Sequence, residues 1–160
     1  LKVYKKDDYL ELDFPKDTFK QVDMIEMVES ATGTKPLETY LGDINLFAVY
    51  ENEEIISNIN PDYSAVSKLE GQGLIISSSS NQYDFVSRYF CPKFGINEDP
   101  VTGSAHTTLI PYWSEKFSKD SLIAKQVSKR GGELFCHNKK NRVLIGGKAV
   151  LYMKGLIEIS

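Results

Sequence analysis

Nine consecutive residues carry most of the chemistry in this chain: Glu98-Asp99-Pro100-Val101-Thr102-Gly103-Ser104-Ala105-His106. The Asp99-Pro100 step disfavours helix, because the residue before a proline is pushed out of the helical region. Thr102, Gly103 and Ser104 are then small enough to leave the first backbone N–H groups of a following helix uncovered. Such orphan donors, with the positive end of the helix dipole, hold an anion; the dipole alone contributes about 0.3–1 kcal/mol to a carboxylate placed there. Gly103 also lets a ligand approach the backbone closely.

The expectation is a loop-to-helix anion pocket in which Thr102, Gly103 and Ser104 bind a substrate carboxylate. Two readings of Asp99 are open: a cap accepting from the first-turn N–H groups, or an acid/base orienting substrate and sharing in proton transfer. Glu98 is expected to be solvated. His106 is expected to be a neutral, hydrogen-bonded core histidine. Ser104 lacks the setting of a nucleophile elbow, so a covalent serine mechanism has no support.

The elements that must position these residues are mostly strands. Leu1 to Tyr4 and Tyr9 to Phe14 alternate around a polar turn at Lys5 to Asp8, which predicts a hairpin stopped by Pro15. Val22 to Ala31 recurs at helical spacing and ends at Thr32-Gly33. Leu46 to Tyr50 predicts a strand, with Glu51 to Glu54 a turn into a second apolar run at Ile55-Ile56. Pro61 to Leu69 has helix signals, Leu74 to Ser78 and Tyr83 to Phe90 read as strands, and Thr102 to Phe117 is the longest helical pattern. Segments 123–126, 133–137, 142–145 and 149–153 alternate with Gly and Asn turns, which predicts a meander. The whole reads as an α+β domain, residues 1–160, with a curled, mostly antiparallel sheet wrapped around a central helix at Thr102–Phe117.

Composition removes several function classes. The chain has 160 residues with 41% hydrophobic content, and its 19 basic and 22 acidic residues give a formal charge of -3. No large positive field attracts a phosphate backbone, so nucleic acid is not an expected partner, and Lys139-Lys140-Asn141-Arg142 reads as a solvated hairpin tip. No apolar run approaches the roughly 20 residues that cross a bilayer. Cys91 and Cys136 read as reduced thiols, and with His106 and His137 they lack zinc-site spacing, so no metal is expected. No dinucleotide fingerprint or phosphate loop occurs, so no cofactor is expected, and a cytoplasmic location follows from the lack of an export leader.

With these residues in view, the segment from Glu98 to His106, followed by Pro111-Tyr112-Trp113, resembles the signature of the phenazine-biosynthesis PhzF-like family, which shares the diaminopimelate epimerase fold. Tyr9 to Pro15, Arg88-Tyr89-Phe90-Cys91-Pro92, Ser128-Lys129-Arg130-Gly131-Gly132 and Val143 to Val150 resemble further family segments in the same order. The resemblance implies two similar halves, each a sheet around a central helix, with the active site between them. This chain matches the second half. The family's principal acid/base glutamate and its Cys-Gly-His-Ala-Thr-like turn belong to the first half and have no match here. By resemblance Asp99 is the second-half active-site carboxylate, Gly103 and Ser104 form the substrate-carboxylate cradle, and two readings of Arg130 are open, a structural turn or a place near the cleft.

The resemblance therefore implies a cofactor-independent isomerase or epimerase that shifts a proton on a small carboxylate-bearing substrate once a first half is supplied. The alternative is a non-catalytic module that binds an anion or self-associates. Either way the expected partner is a homodimer copy or an N-terminal domain.

Overall fold

The computed structural model describes residues 2–6 and 8–158. Leu1 and Asp7, which belong to the expected first hairpin, lie outside the described residues. Strand β1 (Lys2–Lys5) pairs antiparallel with β2 (Leu10–Pro15), Val3 opposite Leu12. Then follow β3 (Phe19–Gln21), helix α1 (Ile25–Thr32), β4 (Glu38–Gly42), β5 (Leu46–Val49), helices α2 (Glu53–Asn58) and α3 (Tyr63–Val66), β6 (Leu74–Ser79) and β7 (Phe85–Phe90). Helix α4 (His106–Phe117) leads into β8 (Ser121–Gln126), β9 (Gly132–Asn138) and β10 (Arg142–Gly147).

These strands form one mixed sheet in the order β1-β2-β10-β9-β8-β7-β6-β5-β4-β3. Two neighbouring pairs are parallel, β5 with β6 and β7 with β8; the others are antiparallel. Antiparallel neighbours need only a turn, whereas each parallel pair needs a crossover. Helices α2 and α3 lie on the first crossover and α4 on the second.

Alternation along the strands divides the core. Phe47, Ile75, Phe85, Ala124, Leu134, Cys136 and Ile145 point one way and pack with Leu109, Ile110, Tyr112 and Trp113 of α4. Leu46, Ala48, Leu74, Ile76 and Val86 point the other way, onto Val28 of α1, Ile56 of α2 and Val66 of α3. Every residue of β5 is buried, as befits a strand covered on both faces.

Within α4, residues Thr108 to Ser114 are all buried, as its non-amphipathic sequence demands. Pro111 lies inside this helix and has no N–H for the carbonyl of Thr107. That carbonyl accepts instead from the N–H of Asp17 at 3.3 Å, so the break in the helix ladder becomes an anchor for the chain leaving β2.

Several expectations are corrected. Ile55-Ile56 is not the second strand of a hairpin: Asn52 caps α2 by accepting from the Ile55 N–H at 3.0 Å, so its turn signal is a helix start. The Pro61–Leu69 pattern yields a single short helical stretch at Tyr63–Val66, capped by Asp62. Helix α4 begins at His106 and not at Thr102, because residues 103–105 form a tighter turn with i→i+3 bonds. Residues 149–153 form no strand, and 148–158 run on without regular structure. Strands β3 and β4 were not expected from the sequence.

Candidate functional site

The approach to α4 begins at the end of β7. The chain turns back on itself after Phe90, with an isolated bridge between Phe90 and Glu98 and an Asp99 N–H bond to the Tyr89 carbonyl at 3.1 Å. Glu98 is not solvated as expected. It takes a bidentate pair from Arg88, Nε to Oε1 at 2.8 Å and Nη2 to Oε2 at 3.0 Å, while Arg88 Nη1 also donates to the carbonyls of Ile56 and Ile59. A guanidinium presents a planar fork of donors, which suits this four-way clamp between α2 and the loop.

Asp99 does not cap α4, whose N-cap Ala105 accepts no side-chain bond and whose first donors face elsewhere. Its Oδ2 accepts the hydroxyl proton of Thr102. Thr102 is itself engaged: its N–H donates to Oε1 of Gln126 at 2.7 Å, and its carbonyl faces Nδ1 of His106 at 2.8 Å. The backbone of Thr102 thus has no N–H to offer a ligand, contrary to its expected place in the anion cradle.

The next donors are free. The first α4-entry bonds run from the N–H groups of His106, Thr107 and Thr108 to the carbonyls of Gly103, Ser104 and Ala105. The N–H groups of Gly103, Ser104 and Ala105 meet no acceptor among the described residues. Gly103 and Ser104 are also the ones solvent reaches, since Ala105 is buried. A Cβ on Gly103 would meet nothing nearer than the Phe14 ring at 4.0 Å, so the space above it is empty.

Gly103 lines a cavity of about 500 Å³ with Leu12, Val101, residues 130–134 and residues 145–148. The walls are the ends of β9 and β10, where Gly131-Gly132 and Gly146-Gly147 keep side chains out. Gly131 has φ 69°, and a Cβ on Gly132 would press into the Val101 side chain. A second cavity adjoins it, lined by Asn97, Glu98, Pro100 and Ser128 to Arg130. Arg130 lines both cavities, is exposed and makes no ion pair among the described residues. Its turn is held by Ser128, which donates from Oγ to the Pro100 carbonyl at 2.7 Å and accepts the Gly131 N–H at 3.1 Å.

His106 is fully buried against Phe85. Burial, opposed by the contact to the Thr102 carbonyl, pushes its pKa down to about 4. That carbonyl only accepts, so Nδ1 carries the proton, and buried Nε2 has no partner. The ring is a neutral, buried core group at neutral pH.

Gln126 is the residue the sequence reading missed. It is fully buried at the end of β8, with Nε2 donating to the Asp99 carbonyl at 2.7 Å and to the Thr102 hydroxyl at 3.2 Å. The signal was available: strand alternation puts Gln126 on the same inward face as Leu122 and Ala124, where an amide needs partners. Both cysteines are buried free thiols, and no three His, Cys, Asp or Glu side chains converge among the described residues.

A family model described as phenazine biosynthesis-like protein, PhzC-PhzF, matches residues 9–155. The chain belongs to the phenazine biosynthesis-like family. Among PhzF-family relatives, an uncharacterized isomerase of Pseudomonas aeruginosa is 42% identical over 160 residues, covering 100% of this chain and 61% of its own. An uncharacterized isomerase of Halalkalibacterium halodurans is 37% identical, covering 96% and 59%. The crystal structure of a PhzF-family phenazine biosynthesis protein from Enterococcus faecalis superposes with TM-score 0.91 at 48% identity, covering 98% of this chain and 60% of that one. This PhzF-like fold, a mostly antiparallel mixed sheet with few helices, thus spans about three fifths of the length of the relatives it matches. Among the described residues no helix is long and apolar enough to cross a membrane.

Proposed function

We propose that this chain is the substrate-binding second half of a cofactor-independent isomerase or epimerase, in which a proton is shifted on a small carboxylate-bearing substrate. The observation that carries this reading is the uncovered pair of N–H groups at Gly103 and Ser104, of which Gly103 lines a cavity with Val101 and Arg130, close in sequence to a carboxylate, Asp99, that the Thr102 hydroxyl holds in place. A substrate carboxylate accepts from these two donors, with Arg130 on the rim supplying charge. Asp99 then stands at the reacting carbon as one of the two groups that move the proton. A first half in the manner of the diaminopimelate epimerase fold supplies the other, and the site closes between the two halves. Membership of the phenazine biosynthesis-like family, and two relatives named as uncharacterized isomerases, support the reaction class.

The test is solvent-deuterium incorporation into a panel of small carboxylic acids, read by NMR or mass spectrometry, with the chain alone and with the N-terminal portion of a relative added. Incorporation that requires Asp99 supports the reading. No incorporation in either condition across the panel overturns it.

A second reading, a self-associating module, is favoured by one observation. Val150, Leu151, Tyr152, Met153, Leu156 and Ile157 are each at least 78% exposed, and contiguous apolar surface of this kind marks a contact face. We propose a homodimer, or pairing with an N-terminal domain, as the state in which this segment is covered. We propose a cytoplasmic location, a reading supported by two buried thiols that form no disulfide.

A further inference from the structure

We infer that Gln126 is a positioning residue that makes Asp99 a one-oxygen base, by forcing the Thr102 hydroxyl to donate to Asp99 Oδ2 and leaving Oδ1 as the proton-carrying atom. This rests on the reading of Asp99 as a proton-transfer group.

The argument is one of donor and acceptor inventory. A backbone N–H only donates, so the Gln126 atom 2.7 Å from the Thr102 N–H is the carbonyl oxygen, Oε1. A backbone carbonyl only accepts, so the Gln126 atom 2.7 Å from the Asp99 carbonyl is the amide nitrogen, Nε2. These two backbone partners sit on either side of the amide and fix its orientation without appeal to anything else. Nε2 has two hydrogens and no acceptor capacity. Its second hydrogen points to Thr102 Oγ at 3.2 Å, which must therefore accept.

A hydroxyl has one hydrogen. With Thr102 Oγ accepting from Gln126, that hydrogen goes to the remaining neighbour, Oδ2 of Asp99. The chain of bonds runs one way, from Gln126 through Thr102 to the carboxylate. Oδ1 accepts nothing among the described residues. Val101 and Gly103 line one cavity and Glu98 and Pro100 the other, so half-buried Asp99 lies in sequence between residues of the two linings without belonging to either. In one direction Oδ1 takes the proton from the substrate carbon while the first half's group delivers one; in the reverse direction Oδ1 delivers it, and Oδ2 stays bonded throughout. Gln126 touches neither substrate nor reacting atoms, and its buried amide is held on β8, a central strand of the sheet.

Two measurements test this. In the nitrogen-15-labelled full chain, both Gln126 side-chain amide protons are expected to exchange with water about 100-fold more slowly than those of exposed Gln82. In Thr102→Val, which keeps volume and N–H but removes the hydroxyl, one Gln126 proton loses that protection and its partner on the Asp99 carbonyl keeps it. Thr102→Ser restores both. Gln126 protons that exchange like those of Gln82, or that ignore Thr102→Val, overturn the proposal.

The second measurement is deuterium incorporation into any acid on which the wild-type chain acts. Thr102→Val and Gln126→Met lower kcat about 10-fold with KM unchanged, and Thr102→Ser recovers most of it. A purely structural Gln126 would instead leave Thr102→Val indistinguishable from Thr102→Ser, which counts against the proposal. If Gln126→Met does not fold, Thr102→Val carries the test. Binding at Gly103 and Ser104 is read separately, from their amide shifts on titration with acetate. A wild type with neither exchange activity nor acetate response overturns the proposed function, and the amide-exchange data still decide the role of Gln126.

Discussion

Arg88 and Glu98 form a bidentate pair with side-chain exposures of 12% and 17%, and it joins the strand below the site to the loop that carries Asp99. Because Arg88 also satisfies two carbonyls at the end of α2, removing it leaves several groups unpaired at once. Arg88→Met is expected to cost about 3 kcal/mol in urea unfolding, the usual scale for breaking a buried pair from one side. Glu98→Gln, which keeps one acceptor, is expected to cost less. Equal, small losses for both would mean that the pair is solvent-screened and does not hold the loop.

Gly103 separates ligand binding from folding. Its added methyl has room, and its φ is not in the left-handed region, so Gly103→Ala leaves the melting temperature unchanged or raises it slightly. The same methyl occupies the space in front of the two free N–H groups. Acetate affinity, read from the Ser104 amide shift, is expected to fall about tenfold, a loss of ~1.4 kcal/mol. Unchanged acetate binding in Gly103→Ala would remove the cradle from the site.

Much of this was legible in the residues themselves. Strand β8 announces itself by alternation and β6 by a short apolar run, and the Asp-Pro step with three small residues marks the helix entrance. What was not legible depends on partners remote in sequence. Glu98 reads as solvated until β7 places Arg88 beside it, and Thr102 reads as a free donor until Gln126, 24 positions on, takes its N–H. Asn52-Glu53-Glu54 serves equally as a turn or as a helix cap, and only the burial of Ile56 decides. The segment 149–153 has strand composition, yet composition does not supply a neighbouring strand to pair with.

Gly132 and Val101 make a pair whose fit is tested by exchange of volume. Gly132→Ala drives a methyl into the Val101 side chain and is expected to cost about 1–3 kcal/mol. Val101→Ala alone creates a small cavity and costs about 1–2 kcal/mol. Combined, the two relieve each other, so the double variant is more stable than the sum of the single losses requires. Strict additivity in thermal unfolding would show that residues 101 and 132 do not touch.

His106 gives the fold an acid limit. Its pKa is about 4 when folded against an ordinary value of 6.5, so the unfolded chain binds the proton first as pH falls. The stability this neutral ring contributes is complete above pH 6.5 and is lost as the pH drops toward 4, a change of about 3 kcal/mol. His106→Leu removes the titration. Its stability is expected to be lower than wild type at pH 7, because the Thr102 carbonyl loses its donor, and to fall less steeply between pH 6.5 and 4.5. Parallel pH profiles for the two proteins would exclude His106 as the source.

The segment 148–158 is expected to behave independently of the body. No residue beyond Ile145 belongs to either hydrophobic cluster, and Lys148 makes one exposed contact, to Asp8 at 3.6 Å. An exposed ion pair of that length adds little stability. Trypsin is therefore expected to cut at Lys148 and Lys154 well before it cuts within the sheet, and the trimmed chain should unfold cooperatively with a midpoint close to the parent's. The same truncation removes the apolar surface from Val150 to Ile157, so it converts a self-associated species to monomer in sedimentation velocity. If truncation leaves the sedimentation coefficient of a dimer intact, association runs through another face; if the parent is already monomeric at every concentration, the self-associating reading fails.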